Sequence, residues 1–229
     1  MSGKKRAVCF LVVCFLVSSI IRTCVFAEES KVYRRIESAE KKIALTFDDG
    51  PHPRITREIL SVLNEYGIKA TFFVIGQNIE NYPETMKLLA ESGCEIGNHT
   101  FSHGNFRVMS EAEMAGEFEK CRNILFNEFL IEPTLIRPPE GVCSDALFSV
   151  SEQTECDIIL WSIDTRDWAY TPASDIAKKV IQNVSGGDII LMHDYVSGRG
   201  QTADALRMII PNLIERGFEF VTVGELINS

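Results

Sequence analysis

Lys42-Ile43-Ala44-Leu45-Thr46-Phe47-Asp48-Asp49-Gly50-Pro51-His52-Pro53, or KIALTFDDGPHP, sets an apolar run against two adjacent carboxylates and a Gly-Pro turn. The run reads as a strand. A helical stretch, ITREILSVLNEYG, follows directly. In it Ile55, Ile59, Val62, Leu63 and Tyr66 recur at helical spacing, and Gly67 supplies the stop. A nearly all-apolar strand feeding a helix suits a strand buried on both faces. Two acids at its exit repel each other, so another group has to compensate for them.

The same alternation continues along the chain. ATFFVIG, CEIGNH, TLIRPP, DIILWSID, GDIILMH and FEFVTV read as further strands. NYPETMKLLAESG, a segment opening with Ser110 and Glu113, a stretch from about Ser144, ASDIAKKVIQNV and residues 202–216 read as helices. Ser110 with Glu113 is a capping-box pattern. Strand–helix alternation of this kind builds an α/β fold with a parallel sheet and helices outside it. The chemically active residues follow the strands: Asp48 and Asp49, His99 and His103, Arg137, Asp164 and Asp167, and His193. An open doubly wound sheet gathers such residues at one edge, and a barrel gathers them on one face. Convergence from five or more strand exits favours a (β/α) barrel of about seven parallel strands in a single domain.

Residues 42–229 form that domain in this reading, and the charged stretch 28–41 is a linker. Residues 1–27 differ from the rest. Lys4, Lys5 and Arg6 precede the apolar run Ala7–Ile21, and Val25-Phe26-Ala27 offers a cleavage site. That is the pattern of a signal peptide, with an uncleaved N-terminal anchor and a membrane tether through residues 7–21 as the alternative. The run is short against the roughly 20 residues of a bilayer span. An extracytoplasmic location is expected, either secreted or associated with the wall or membrane. The segment carries four of the 23 bases and no acid, so the remainder holds 19 bases against 32 acids, a net of −13. Such a charge excludes nucleic acid as a partner. Past residue 27 the cysteines are Cys94, Cys121, Cys143 and Cys156, whose spacings match no zinc motif, and single buried thiols are expected.

Only four histidines occur: His52, His99, His103 and His193. On a helical turn, the i, i+4 spacing of His99 and His103 puts both imidazoles on one side, within reach of one metal ion. Alone the spacing is a weak signal, and two unrelated histidines at chance spacing are the plainer reading until a carboxylate joins them. One acid of the Asp48–Asp49 pair can supply it. Two imidazoles and a carboxylate make a three-ligand site with open positions, and the cation's charge relieves the repulsion between the acids. The second acid then sits beside the ion as a proton acceptor.

TFDDGP, HTFSH, RPPEG, DTRDW and LMH stand in that order between Lys42 and Leu226. Together they resemble the five motifs of the polysaccharide deacetylase family, also known as the NodB-homology domain or carbohydrate esterase family four. The resemblance implies a distorted (β/α) barrel and metal-dependent removal of acetyl groups from sugar polymers. It implies Asp48 as general base, Asp49, His99 and His103 as metal ligands, and His193 as general acid. Arg137 and Asp167 would orient the base and the acid. Trp168 and Leu191 would flank the acetyl methyl, and Glu140 would offer its N–H to the oxyanion. Many members carry Tyr where this chain has Glu140, which changes the charge of the groove. Zinc is the first expectation from the mixed nitrogen and oxygen ligands; cobalt, nickel and manganese also fit. The expected substrate is an acetylated glycan polymer containing N-acetylglucosamine, with peptidoglycan first, acted on by a monomer. The rivals are an O-acetyl esterase on a xylan-like polymer and a catalytically silent glycan-binding protein.

Overall fold

The computed structural model describes residues 31–37, 40–196 and 200–229. The signal or anchor expected over residues 1–27 lies outside them.

The central strand is β2 (Lys42–Asp48), buried along almost its whole length. The other strands are β1 (Val32–Tyr33), β3 (Thr71–Val74), β4 (Glu95–Asn98), β5 (Leu135–Ile136), β6 (Asp157–Ile159), β7 (Ile163–Asp164), β8 (Ile189–His193) and β9 (Glu219–Phe220). Every ladder is parallel, in the order β1-β6-β5-β4-β3-β2-β8-β7, with β9 beside the start of β2. The expected single-domain barrel of about seven strands is thus a curled half-barrel of eight parallel strands.

The curl follows from chain length. DIILWSID, read as one strand, is two, because β6 and β7 lie near opposite ends of the strand order and only residues 160–162 join them. Six strand spacings of about 4.8 Å would separate them by about 29 Å in a flat sheet. The linking chain reaches at most about 14 Å. The sheet therefore has to bend until its two edges approach.

A second departure concerns the stretch read as a linker. Val32 and Tyr33 pair with Ile158 and Ile159, and Arg35 bridges to Asp188, so 32–36 belong to the sheet. Ladder bonding needs no apolar period, and the charged side chains hid this short edge strand.

The helices are α1 (Ile55–Glu65), α2 (Gly76–Asn81), α3 (Pro83–Glu91), α4 (Glu111–Phe129), α5 (Asp145–Thr154), α6 (Ala173–Asn183), α7 (Thr202–Glu215) and α8 (Val223–Ile227). Ser110 and Glu113 cap α4 reciprocally, as the sequence predicts. The core packs the α1, α3, α6 and α7 faces onto β2, β3 and β8, and includes a stacked pair, Phe47 and Phe72, with ring centroids 4.8 Å apart. None of the four described cysteines is in a disulfide. Cys121 and Cys156 are buried, as expected, whereas Cys143 is exposed and Cys94 lies between.

Candidate active site

Parallel ladders place the strand exits on one rim. Asp48 stands opposite His193 in the β2–β8 register, and β4 ends at Asn98, one residue before His99. A cavity of about 530 Å³ opens there, lined by Asp48, Asp49, His99, His103, Glu140, Trp161, Asp164, Trp168, Leu191 and His193.

Three side chains converge on one point. Asp49 Oδ1 is 3.4 Å from His99 Nε2 and 3.5 Å from His103 Nε2, and the three candidate ligand atoms lie within 4.8 Å of one another. Two ligands bound to a tetrahedral ion at zinc distances are themselves about 3.4 Å apart. Asp49 Oδ1 is buried and makes no hydrogen bond among the described residues. An unpaired buried carboxylate oxygen is costly, and a cation would compensate for it. His99 Nδ1 lies 2.7 Å from the Arg137 carbonyl, so it donates there and turns the Nε2 lone pair into the cavity. The residues present fit a divalent ion.

The local backbone differs from the expected helical turn. Residues 99–103 form a loop, with Thr100 (φ 74) and His103 (φ 54) in the left-handed region. The Glu117 carboxylate holds it, accepting from Phe101 N (3.1 Å), Ser102 N (2.7 Å) and Ser102 Oγ (3.0 Å). The Thr100 hydroxyl accepts from His103 N at 3.0 Å. Asp49 (φ 75) is likewise left-handed. Such positions cost free energy in non-glycine residues and persist where surrounding bonds over-determine them.

Asp48 is oriented from inside the barrel. Arg137 is wholly buried and donates from Nη1 to Asp48 Oδ1 (2.7 Å) and Thr46 Oγ1 (2.8 Å). Its Nε and Nη2 satisfy the Ile159 and Leu160 carbonyls, where the chain leaves β6 to cross the barrel. The guanidinium lies 4.0 Å from the Phe73 ring centroid. Burial lowers its pKa, opposed by the Asp48 charge and hydrogen bond.

His193 has the matching support. Its Nδ1 donates to Asp167 Oδ1 (2.8 Å), and its backbone N–H donates to Asp167 Oδ2 (2.8 Å). Thr202 Oγ1 and Trp168 N complete the donors around that carboxylate. Burial pushes the imidazole down, but the hydrogen bond and charge of Asp167, then Asp48 and Asp49, outweigh it and bring the pKa to about 9. Among the candidate ligands, burial opposes ionisation of Asp49, yet His99, His193 and His103 hold its pKa below the usual value. Burial depresses His99, and Asp48 and Asp49 raise it above its free value. Burial and the neighbouring His99 lower His103.

All ten residues singled out by the resemblance belong to this arrangement. Eight line the cavity, while Arg137 and Asp167 stand directly behind Asp48 and His193. Trp168 is half exposed and Leu191 is buried in the wall. The Glu140 carboxylate pairs with Arg107 (3.2 Å) at the rim, both side chains being more than half exposed. His52 does not join the centre. Its Nδ1 accepts from the N–H groups of Arg54 and Ile55 at the start of α1. Sequence reasoning missed Glu117, Trp161, Thr46, Thr202 and Asp194. Of these, Thr46 and Trp161 fall within strands already read and Asp194 adjoins one.

A family model described as polysaccharide deacetylase matches residues 35–159. The chain is 39% identical over 194 residues to a peptidoglycan-N-acetylglucosamine deacetylase of Bacillus cereus, a match covering 84% of this chain and 91% of that protein. The crystal structure of a peptidoglycan N-acetylglucosamine deacetylase with 4-naphthalen-1-yl-N-hydroxybenzamide is similar at TM-score 0.81 and 35% identity, covering 86% of this chain and 92% of that one. A family 4 acetyl xylan esterase from Clostridium thermocellum, solved with a cobalt ion, is similar at TM-score 0.76 and 35% identity, covering 82% and 91%.

Proposed function

We propose that this chain, which belongs to the polysaccharide deacetylase family, is a metal-dependent, exported enzyme that removes acetyl from N-acetylglucosamine residues of peptidoglycan. The observation that carries this reading is the meeting, in one cavity, of the Asp49–His99–His103 cluster with an Arg-held aspartate and an Asp-held imidazole. The name of the Bacillus cereus relative supports the polymer. The leader pattern of residues 1–27 supports export, and the neighbour solved with cobalt supports a divalent ion there, with zinc as the first choice.

Asp49, His99 and His103 hold the ion. When bound, it supplies a Lewis acid that polarises the acetyl carbonyl and acidifies water. Arg137 holds Asp48 Oδ1 and leaves Oδ2 to take a proton from the attacking water. The water oxygen bonds to the acyl carbon, and negative charge builds on the former carbonyl oxygen. The Glu140 N–H donates to that oxygen, a contribution of about 3–4 kcal/mol when preorganised. The C–N bond then breaks. His193 Nε2 gives its proton to the departing nitrogen, because Nδ1 is committed to Asp167. Acetate and the free amine result. Leu191 and Trp168 flank the acetyl methyl and exclude water from it.

The test is acetate release by the purified chain from N-acetylated wall fragments and chitooligosaccharides, before and after a chelator and after zinc is restored. Chelator-sensitive release is expected. Chelator-resistant release, or none with zinc bound, contradicts the proposal. The likeness to a xylan esterase favours one second reading, O-acetyl ester hydrolysis at the same centre. Acetylated xylan in the same assay separates the two.

A further inference from the structure

Asp194 follows His193 on the chain but turns the other way, into the protein, where it is completely buried. Its backbone N–H donates to the Asp48 carbonyl at 3.1 Å. Its Oδ2 accepts from Thr56 Oγ1 at 2.6 Å, and the same hydroxyl accepts from His52 N at 2.7 Å. Oδ1 has no hydrogen-bond partner among the described residues. The carboxyl lies flat against Gly50, where an added Cβ would come within 2.1 Å of Oδ2. No side chain tolerates that approach, which accounts for glycine directly after the acid pair. One carboxyl therefore spans the Asp48–His52 turn, bonded through its own backbone and through Thr56.

Two further carbonyls of this turn are also held. Asn78 Nδ2 donates to Asp49 O at 2.7 Å, and Ile75 N donates to Gly50 O at 2.9 Å. Asp49 sits at φ 75, a conformation that needs such support.

We infer that Asp194 is a positioning residue for the cation site: its carboxyl, clamped between Thr56 and Gly50, keeps the left-handed Asp49 aimed at His99 and His103. The inference rests on the reading of Asp49, His99 and His103 as cation ligands, and it extends the site by a carboxyl that never faces the cavity. A buried acid behind two others is unfavourable if ionised. Burial, together with the charges of Asp49 and Asp48, pushes it up to about 7 against the opposing Thr56 bond. In either form, an amide keeps an oxygen acceptor for Thr56 in the same shape.

The experiment measures zinc and cobalt affinity by competition with a chelator for the full chain and three variants, alongside thermal unfolding in excess chelator. Residues behind metal ligands typically change affinity by about 10–100-fold. Asp194→Ala is expected to weaken both ions within that range. Asp194→Asn should stay within about threefold of the parent. Thr56→Val, which keeps the shape and removes only the hydroxyl, should weaken them by more than about threefold. It carries the test if Asp194→Ala does not fold. A folded Asp194→Ala or Thr56→Val with parental affinity, even at a lower unfolding temperature, overturns the inference. So does an Asp194→Asn that loses as much as Asp194→Ala. A parent chain that binds neither ion overturns the cation site itself, whereas parental binding with unaffected variants removes only the role of Asp194.

Discussion

Asp167→Asn probes the acid side of the centre. In the parent, His193 has a pKa of about 9, roughly 2.5 above the 6.5 of free imidazole. That difference corresponds to about 3.4 kcal/mol between the two protonation states, at 1.36 kcal/mol per pH unit. Removing the Asp167 charge leaves only Asp48 and Asp49 against burial, so the imidazole pKa falls toward the roughly 6.5 of the free group. At pH 8 the protonated share drops from about 90% toward about 3%, the share of a free imidazole. The ratio of variant to parent amide hydrolysis should therefore fall between pH 5.5 and pH 8, by up to about 30-fold. The ratio matters more than the absolute rate. Both Asp167 oxygens already accept two donors, so the new amide sets an N–H against another donor and costs activity at every pH. The assay is kcat/KM against pH on an N-acetylated oligosaccharide with zinc saturating. The alkaline limb should move down from near 9 toward 6.5. An unmoved limb would refute the assignment of His193 as the acid tuned by Asp167. The pair also affects stability. A raised folded pKa contributes stability that is fully present below about pH 6.5 and is lost as pH rises through about 9. The unfolding free-energy gap between parent and variant should thus narrow across that window.

His193→Ala should abolish amide cleavage while sparing much of the activity on an activated acetyl ester, since an alkoxide or phenolate leaves without a donated proton; equal losses on both substrates argue against a general acid. Arg137→Met strands a buried aspartate and two carbonyls, so urea titration should show a loss of about 3–5 kcal/mol, and a neutral result would mean the barrel interior is wet or collapses easily. Glu117→Ala frees three donors of the 99–103 loop, so zinc affinity by chelator competition should fall about tenfold with little change in unfolding temperature in excess chelator. Unchanged affinity would show that the loop holds its shape without that carboxylate.

What could be read in advance depended on range. KIALTF and GDIILMH state their burial in their own composition, because a strand covered on both faces has to be apolar throughout. The helix cap at Ser110 is settled within four residues, so it too was legible. The edge strand at Val32–Tyr33 was not, since its partners lie about 126 residues away and its charged neighbours suggest solvent. The split of DIILWSID was hidden for the same reason: either half is a good strand, and only closure of the sheet decides where it breaks.

The chemistry divides similarly. By itself the sequence determined which groups stand at strand exits, in which order, and that two acids meet two imidazoles, because a parallel ladder delivers every exit to one rim. Only the tertiary structure decided that Arg137 is wholly buried beneath Asp48, that a loop rather than a helix carries His99 and His103, that Glu117 holds that loop, and that Asp194 lies buried against Gly50. Those contacts join residues 15 to 140 or more positions apart, and their geometry exists only once the sheet has curled.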